Sequence, residues 1–440
     1  MLIWALAIIV LVLTWGSVLL LRVMEVEVPM SIPLIVTVVT VAAVLGWIAW
    51  RKARALARAK ELEREILKQS EQQAAMARPD RRAEINELQK QVLAGIAALK
   101  NTKVGKRHGA RALYALPWYV IIGPPGAGKT TALKQSGLVF PHLDPSRGGV
   151  RGIGGTRNCD WWFTNEGILL DTAGRYATEE DDREEWFSFL AMLRKHRPQK
   201  PLNGLLVAVA ISDLVEATED QIAAQAANLR SRVDEIMTRL DMVLPVYLVF
   251  TKADLIGGFT EFYGDLRKSE RDQILGATFA LDGADQKDAG EAFRETFKNL
   301  VSVAHARALR TIGRERRVEL RSRIYEFPLE LNALGHNLEH FVRALFQRNT
   351  FQENPLFSGY YLTSGTQEGR PFARVIGGMA RAFGIRAPDF HQAPTEAKSY
   401  FVTDVFRQVV FPDQDIAGRT ASELRRQKLT RGLIAGAAAL

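Results

Sequence analysis

The stretch that decides the fold is Gly123-Pro124-Pro125-Gly126-Ala127-Gly128-Lys129-Thr130, which follows the apolar run Trp118-Tyr119-Val120-Ile121-Ile122. It matches the pattern G-x-x-x-x-G-K-[ST] in its required place, a loop between a buried strand and a helix. Such a loop turns backbone N–H groups toward phosphate oxygens, the lysine brings a positive charge, and the hydroxyl can ligate Mg²⁺. The stretch predicts a nucleoside triphosphate site formed by Gly123, Pro124, Pro125, Gly126, Ala127, Gly128, Lys129, Thr130 and Thr131.

Short apolar runs alternate with helical stretches after Tyr114, which is typical of a mostly parallel sheet with helices on both faces. Helices are predicted directly after the phosphate loop, over Glu180 to Arg194, and over Asp220 to Leu240 with Thr218 as its cap. The strand candidates are Trp118–Ile122, Trp161–Thr164, Gly167–Leu170, Leu205–Ile211, Val246–Phe250 and Arg323–Phe327. Residues 112–365 are therefore predicted to form an α/β P-loop NTPase domain of GTPase-like fold, with its ligand at the carboxyl ends of the strands.

A second motif, Asp171-Thr172-Ala173-Gly174, follows the strand candidate Gly167–Leu170. A carboxylate at that strand end can hold Mg²⁺, and the Gly174 N–H can bond a γ-phosphate. The Gly-rich stretch 152–157 lies between the two motifs, and its Thr156 is either a further Mg²⁺ ligand or part of a simple turn. The predicted metal ligands are Thr130, Asp171 and Thr156.

A third motif, Thr251-Lys252-Ala253-Asp254, follows the strand candidate Val246–Phe250. It fits [NT]-K-x-D, in which the aspartate accepts two hydrogen bonds from guanine and the lysine stem covers the base. Adenine does not offer that pair of donors. The order of the three motifs therefore favours GTP, with ATP as the alternative, and predicts Thr251, Lys252 and Asp254 as base-binding residues.

Arg175 stands where many small GTPases have a glutamine that orients the attacking water, so slow hydrolysis is expected. One role for Arg175 is to stabilise the transition state, which would group it with Lys129, Thr156 and Gly174 as catalytic candidates. The other is a salt bridge to the acidic run 179–182. Whether the chain hydrolyses nucleotide at all stays open.

Two apolar runs open the chain, Leu2 to Leu21 and Ile32 to Trp50. Each is about 30 Å long as a helix, which is enough to cross a bilayer. A cleaved signal peptide is the alternative for the first run, but the run has no basic segment before it. Residues 1–50 are therefore predicted to form a transmembrane hairpin.

Residues 51–111 are predicted to form a basic helical linker, with sixteen lysines and arginines against seven acidic residues. Its surplus of nine equals the +9 of the whole chain, so the charge belongs beside the membrane and indicates anionic lipids rather than nucleic acid. By the positive-inside rule, both ends of the hairpin and the following domain should be cytoplasmic. The single cysteine, Cys159, excludes an intrachain disulfide and is expected to be buried.

The last part of the chain is predicted to return to the membrane. Residues 366–431 have the composition of a helical extension, with Ser399 to Val410 as one helix and Phe411-Pro412 as its stop. Residues 432–440 follow a basic cluster and read as the start of a third, truncated transmembrane helix, with an Ala-rich tail as the alternative.

The combined motifs resemble the IcmF family of inner-membrane proteins of type VI secretion. The resemblance rests on the hairpin, on the three motifs above, and on two blocks that GTPases in general lack, Gly155–Phe163 and Tyr361–Gly369. From its residues alone, the second block reads only as a polar turn after a strand. The resemblance covers nearly the whole chain and implies an N-terminal fragment of a longer family member.

The same resemblance implies the partners. They are a small inner-membrane protein of the TssL type, an outer-membrane lipoprotein of the TssJ type bound through a periplasmic region, cytoplasmic baseplate proteins, and further copies of the chain. The implied function is assembly or opening of a secretion complex, coupled to GTP or ATP with Mg²⁺. Two alternatives remain, a scaffold whose nucleotide site hardly turns over and an unrelated membrane-tethered GTPase.

Overall fold

A computed structural model describes residues 114–140, 159–178, 182–279, 288–349, 352–365 and 398–419, together with Thr37. The chain divides into two units, Met1–Arg82 and Ala83–Leu440. Apart from Thr37, the described residues all belong to the second unit. The predicted hairpin, the linker 51–111, Thr156, most of the extension 366–431 and the segment 432–440 lie outside the described residues.

A mostly parallel sheet forms the centre of the second unit. Its seven strands within the described ranges are ordered β2-β3-β1-β4-β6-β8-β7. The five central strands run parallel, whereas β2 and β7 are antiparallel edge strands. Their bounds are β1 Trp118–Ile122, β2 Cys159–Phe163, β3 Ile168–Thr172, β4 Gly204–Ala210, β6 Pro245–Thr251, β7 Gly276–Thr278 and β8 Leu356–Leu362; the short pair β5 Met242–Val243 and β9 Gly418–Arg419 lies apart.

Helices cover both faces of this sheet, as predicted. Alternate residues of β1 point to opposite faces, so Trp118 and Val120 join one core while Tyr119 and Ile121 join the other. The first core is closed mainly by the helices over residues 183–196, 219–240, 289–312 and 318–345, and the second by the helix over 129–134 and by residues 402–411. The helices are α1 Lys129–Lys134, α2 Arg175–Thr178, α3 Arg183–His196, α4 Ile211–Val215, α5 Glu219–Leu240, α6 Phe259–Phe262, α7 Lys268–Arg271, α8 Ala289–Ile312 and α9 Val318–Leu345.

Helix α5 begins where the sequence predicts. The Thr218 hydroxyl accepts a hydrogen bond from the Gln221 N–H at 3.4 Å, and the Gln221 side chain accepts one from the Thr218 N–H at 2.9 Å. This capping box satisfies two N–H groups that the first turn leaves without partners. The helix ends at Leu240, and the next residue, Asp241, caps it in the left-handed conformation with φ 52°.

The strand predicted at Arg323–Phe327 is wrong, because these residues lie inside α9. Five residues of mixed polarity satisfy both helical and strand periodicity, and only the longer pattern decides between them. Buried residues recur along α9 at three- and four-residue spacing from Ile324 to Leu345, even past Pro328. The fifth central strand is instead β8, which is absent from the strand candidates.

The polypeptide after residue 398 returns to the sheet. The predicted helix over Ser399 to Val410 is a π-helical segment over Val405–Val410, and Pro412–Asp415 follows as a 3₁₀ turn. Among the described residues, no helix is both long and apolar enough to span a bilayer.

Gly258→Ala should destabilise the protein. Gly258 has φ +78°, and an added Cβ would lie 2.1 Å from the Arg323 carbonyl oxygen. Helix α9 would therefore have to move away from the turn that follows β6. The expected loss is about 2–4 kcal/mol of unfolding free energy, measured by thermal or urea unfolding. Gly313→Ala is the matched control, because its φ is −65° and the nearest atoms would be 3.7 Å away. An equal loss in both variants would contradict this account.

Candidate functional site

The phosphate loop leaves β1 after Ile122 and turns into α1 at Lys129. Gly126 and Gly128 have φ +77° and +73°, a conformation that glycine adopts without strain. At Gly123 the reason for glycine is space, because an added Cβ would lie 2.2 Å from the Ala208 carbonyl oxygen at the end of β4. The sequence therefore folds here into the predicted strand, loop and helix.

Lys129 is only 7% exposed although it is a lysine at a loop. Its Nζ donates hydrogen bonds to the carbonyl oxygens of Gly123 at 2.8 Å and Pro124 at 3.1 Å. Burial lowers the pKa of Lys129, and the neighbouring Asp171 carboxylate acts in the opposite direction. The ammonium group is thus held at the mouth of the loop by neutral carbonyls, which an anion could replace.

Thr130 and Asp171 meet at the end of the sheet. The Thr130 hydroxyl donates to the Asp171 carboxylate at 2.5 Å. The register of β1 and β3, which pairs Ile121 with Asp171, places the carboxylate beside the loop. A threonine hydroxyl and an aspartate carboxylate are hard oxygen donors of the kind that Mg²⁺ takes beside phosphate oxygens. The donor set fits the predicted ion, while Thr156 lies outside the described residues.

The turn after β3 also contacts the phosphate loop. An added Cβ on Gly174 would lie 2.5 Å from the Pro125 nitrogen and Cα, so only glycine allows this approach. The guanidinium of the next residue, Arg175, forms ion pairs with Asp182 at 3.2 Å and with Glu185 at 2.8 Å. Both carboxylates are buried. Of the two roles considered for Arg175, the salt bridge is therefore the one present in this structure.

The third motif joins the same edge through Thr251. Its hydroxyl donates to the Ala127 carbonyl in the phosphate loop at 2.7 Å. Lys252 takes the left-handed conformation with φ 58°, which turns the chain at the end of β6. Asp254 is 4% exposed, and its Oδ1 has no hydrogen-bond partner among the residues that the structure describes. Burial raises the pKa of Asp254, against a hydrogen bond from Ser364 that lowers it.

Sequence reasoning missed the part that Thr363-Ser364-Gly365 plays in this site. The Thr363 carbonyl accepts from the Ala253 N–H at 3.0 Å, and the Ser364 side chain bonds Asp254. An added Cβ on Gly365 would lie 2.9 Å from the Thr131 methyl group. The available signal was the position of this polar block after an apolar run, since all parallel strands end at one edge.

Three motifs and this fourth block therefore converge at the carboxyl ends of β1, β3, β6 and β8. Cys159 opens β2, is buried as expected, and burial raises the pKa of its thiol. A neutral, buried thiol is a poor nucleophile.

The family model described as the IcmF-related N-terminal domain matches residues 179–438. The type VI secretion system component TssM1 of Pseudomonas aeruginosa is 40% identical over 362 residues, which is 81% of this chain. The chain belongs to the IcmF family. It spans 33% of the length of that TssM1 relative.

Solved structures show weaker likenesses to this IcmF-family chain. The SRβ–GTP/SRX complex of the signal recognition particle receptor from Chaetomium thermophilum has 20% identity and a TM-score of 0.23, over 33% of this chain and 75% of that one. An NFeoB mutant of S. thermophilus bound to GDP has 11% identity and a TM-score of 0.22, over 53% and 98%. Scores this low do not establish a common fold.

Asp254→Asn should stabilise the nucleotide-free protein at pH 7, and the gain should shrink as the pH falls. Burial raises the folded-state pKa of Asp254 above its unfolded value, so bound protons favour the folded state. The stabilisation from this proton binding is fully present below about pH 4, the pKa of the carboxyl in the unfolded chain. It is lost as the pH rises through the raised pKa of the folded state. Denaturant unfolding from pH 4 to 7 measures the difference between the variant and the unmodified chain. Asp213→Asn, at an exposed carboxylate, is the control, and an equal pH trend in both variants would refute the assignment.

Proposed function

We propose that this chain binds a nucleoside triphosphate with Mg²⁺, GTP in preference to ATP, and that its nucleotide state is coupled to assembly or opening of a type VI secretion complex. The observation that carries the nucleotide proposal is the convergence of Lys129, the Thr130–Asp171 pair and Asp254 at one sheet edge. The secretion role is supported by the name of the TssM1 relative.

Each residue has a role in this proposal that follows from its position. Lys129 exchanges the two loop carbonyls for β- and γ-phosphate oxygens, and the loop N–H groups bind the same phosphates. Thr130 and Asp171 would hold Mg²⁺, which would supply charge neutralisation at the phosphates. Gly174 keeps the Asp-x-x-Gly turn against Pro125, where its N–H can bond a γ-phosphate.

Preference for guanine is supported by the buried oxygen of Asp254. A buried carboxylate oxygen without a partner is costly, and donors from a ligand remove that cost. Guanine offers adjacent N–H donors on its edge, whereas adenine does not. The Ser364 bond fixes the carboxylate in one orientation, so its free side is preset for the base.

Slow turnover is supported by the contacts of Arg175. The residue after the Asp-x-x-Gly motif is this arginine rather than a glutamine, and its guanidinium is engaged by Asp182 and Glu185. This observation also favours the second candidate function, a scaffold that binds nucleotide and hardly hydrolyses it. Inner-membrane localisation with a cytoplasmic nucleotide domain, and contacts with TssL-type, TssJ-type and baseplate proteins, belong to the same proposal.

Lys129→Ala should weaken triphosphate binding on the order of 10- to 100-fold, because it removes a buried charge-assisted contact. Titration calorimetry of the 440-residue chain with GTP, ATP and Mg²⁺ measures the affinity. Lys134→Ala, at an exposed lysine in the last turn of α1, is the control and should bind like the unmodified chain. Unchanged affinity in the Lys129 variant would remove the phosphate-loop assignment.

In the cell, the same substitution distinguishes a role in secretion that depends on nucleotide from a scaffold role. Introduced into the gene in its own bacterium, Lys129→Ala should stop secretion of a reporter effector while the protein still accumulates in the membrane fraction. Undiminished secretion would favour the scaffold.

Asp254→Asn should exchange the base preference, lowering GTP affinity and raising xanthosine triphosphate affinity on the order of 100-fold each. The amide presents a donor where the carboxylate presented an acceptor, which matches the reversed edge of xanthine. Competition binding among GTP, ATP and XTP measures the exchange. If the unmodified chain binds ATP as tightly as GTP, the guanine assignment is wrong, although the triphosphate site stands.

A further inference from the structure

The turn between α8 and α9 is unusually rich in arginine. Residues 307–323, called here the hairpin tip, contain seven arginines and two glutamates, with no lysine, aspartate or histidine. This segment does not take part in the nucleotide site. Its charge is also separate from the basic linker, which mixes lysine with arginine.

Most of the hairpin tip lies outside the hydrophobic cores, although its partly buried Ile312 and Leu320 pack against the first core. No residue from Leu309 to Ser322 is buried, whereas Ala308 and Ile324, on either side, belong to the core. Helix α8 ends at Ile312 and α9 begins at Val318, so residues 313–317 connect the two helix ends. The tip is therefore an exposed turn with a helix end on each side.

Several tip arginines are available for an external anion. Arg314, Arg316 and Arg321 are exposed and have no carboxylate partner within the described ranges. Arg317 pairs with Glu315 at 3.0 Å, but the arginine of that pair lies in solvent, where it contributes little. Arg307 and Arg323, at the base of the tip, pair with Asp265 and Glu326. The uncompensated charge of the tip is therefore that of Arg314, Arg316 and Arg321.

Exposed apolar side chains accompany these arginines. In the described part of the chain, five large hydrophobic side chains are exposed to solvent. Four of them lie on α8 and α9, in the tip or next to it: Val303, Leu309, Val318 and Tyr325. Leu309 is 66% exposed and Val318 is 72% exposed, one on each helix beside the turn. Apolar surface concentrated in one place indicates a contact surface rather than random exposure.

We infer that the hairpin tip docks onto an anionic phospholipid surface. Arginine guanidinium groups match phosphate oxygens in a bidentate geometry, and basic residues gather at the negative inner leaflet. Leu309 and Val318 enter the boundary between headgroups and acyl chains, as apolar residues of interfacial helices do. A lipid surface adapts to an exposed turn, whereas an acidic protein would have to present a surface complementary to it.

Docking of the tip would also act on the candidate site. The Arg323 carbonyl at the base of the tip lies against Gly258, in the turn that follows Thr251 and Asp254. A membrane-bound tip therefore holds the carboxyl edge of the sheet close to the lipid surface. This inference is independent of whether the site binds nucleotide.

The test uses the full chain in lipid nanodiscs with a fluorophore on the tip. Gly313→Cys gives the attachment point, because a Cβ fits there and the buried Cys159 thiol does not compete. The fluorophore is one whose emission shifts to the blue on leaving water. Nanodiscs contain either phosphatidylcholine alone or phosphatidylcholine with phosphatidylglycerol. The expected result is a blue shift only with phosphatidylglycerol, which disappears in about 0.5 M salt because charges are screened.

Matched variants decide the assignment. Arg314→Glu with Arg316→Glu should abolish the shift, whereas Lys134→Glu with Lys298→Glu changes the charge equally at exposed sites away from the tip and should retain it. Leu309→Ser with Val318→Ser should reduce the shift while leaving the melting temperature unchanged, since both side chains are exposed. Equal emission in the two lipid mixtures would overturn the proposal. A shift with polyglutamate but not with phosphatidylglycerol would overturn it in favour of an acidic protein.

Discussion

The parallel pairing of β1 with β3 on one side and β4 on the other is the constraint on which the rest of the structure depends. It places Asp171 beside Ile121, and therefore beside the loop that begins at Gly123. It also places the end of β4 so close to that loop that only glycine fits at its first position. With β6 and β8 continuing the same direction, five strand ends meet at one edge.

Polar groups at this edge are held at a cost to folding. Lys129, Asp171 and Asp254 are all buried, and burial of a charge is unfavourable unless partners replace water. Within the described part of the chain, the Lys129 ammonium donates its hydrogen bonds to carbonyl oxygens, and burial shifts the pKa values of Lys129 and Asp254 toward the neutral forms. Such a site is less stable alone than with a complementary ligand, which is the expected signature of a binding site rather than of a structural core.

The sequence predicts the first half of the sheet well, because its signals there are local. A glycine-rich loop after an apolar run, an Asp-x-x-Gly after the next one, and a threonine cap before α5 each fit within about ten residues. Strand β8 is not predicted, because it depends on pairing with residues that are distant in the chain. β8 contains Ser358 and Gly359, which weaken its strand character, and pairing with its neighbours β6 and β7 makes it a strand.

Some contacts of the candidate site can likewise be predicted from local sequence, whereas others depend on residues that are distant in the chain. The phosphate loop and Asp171 follow from spacing, but the bond from Ser364 to Asp254 joins residues 110 positions apart and requires the sheet order. The Arg175 ion pairs lie between these cases. An acidic run nearby favours a salt bridge, yet the choice of Asp182 and Glu185 depends on how α3 packs.

The segment after residue 398 has a mechanical consequence. Tyr119 donates its phenol hydrogen to the Val410 carbonyl, and Tyr247 donates to Asp413 at 2.9 Å. These two phenols connect the segment to β1 and β6, the strands that end in the phosphate loop and in Thr251. A pull on the chain near residue 419 acts first on the β5–β9 pair, and beyond it on the phenol contacts to the two strands that align the candidate site. Tension along the polypeptide is therefore coupled to the geometry of that site.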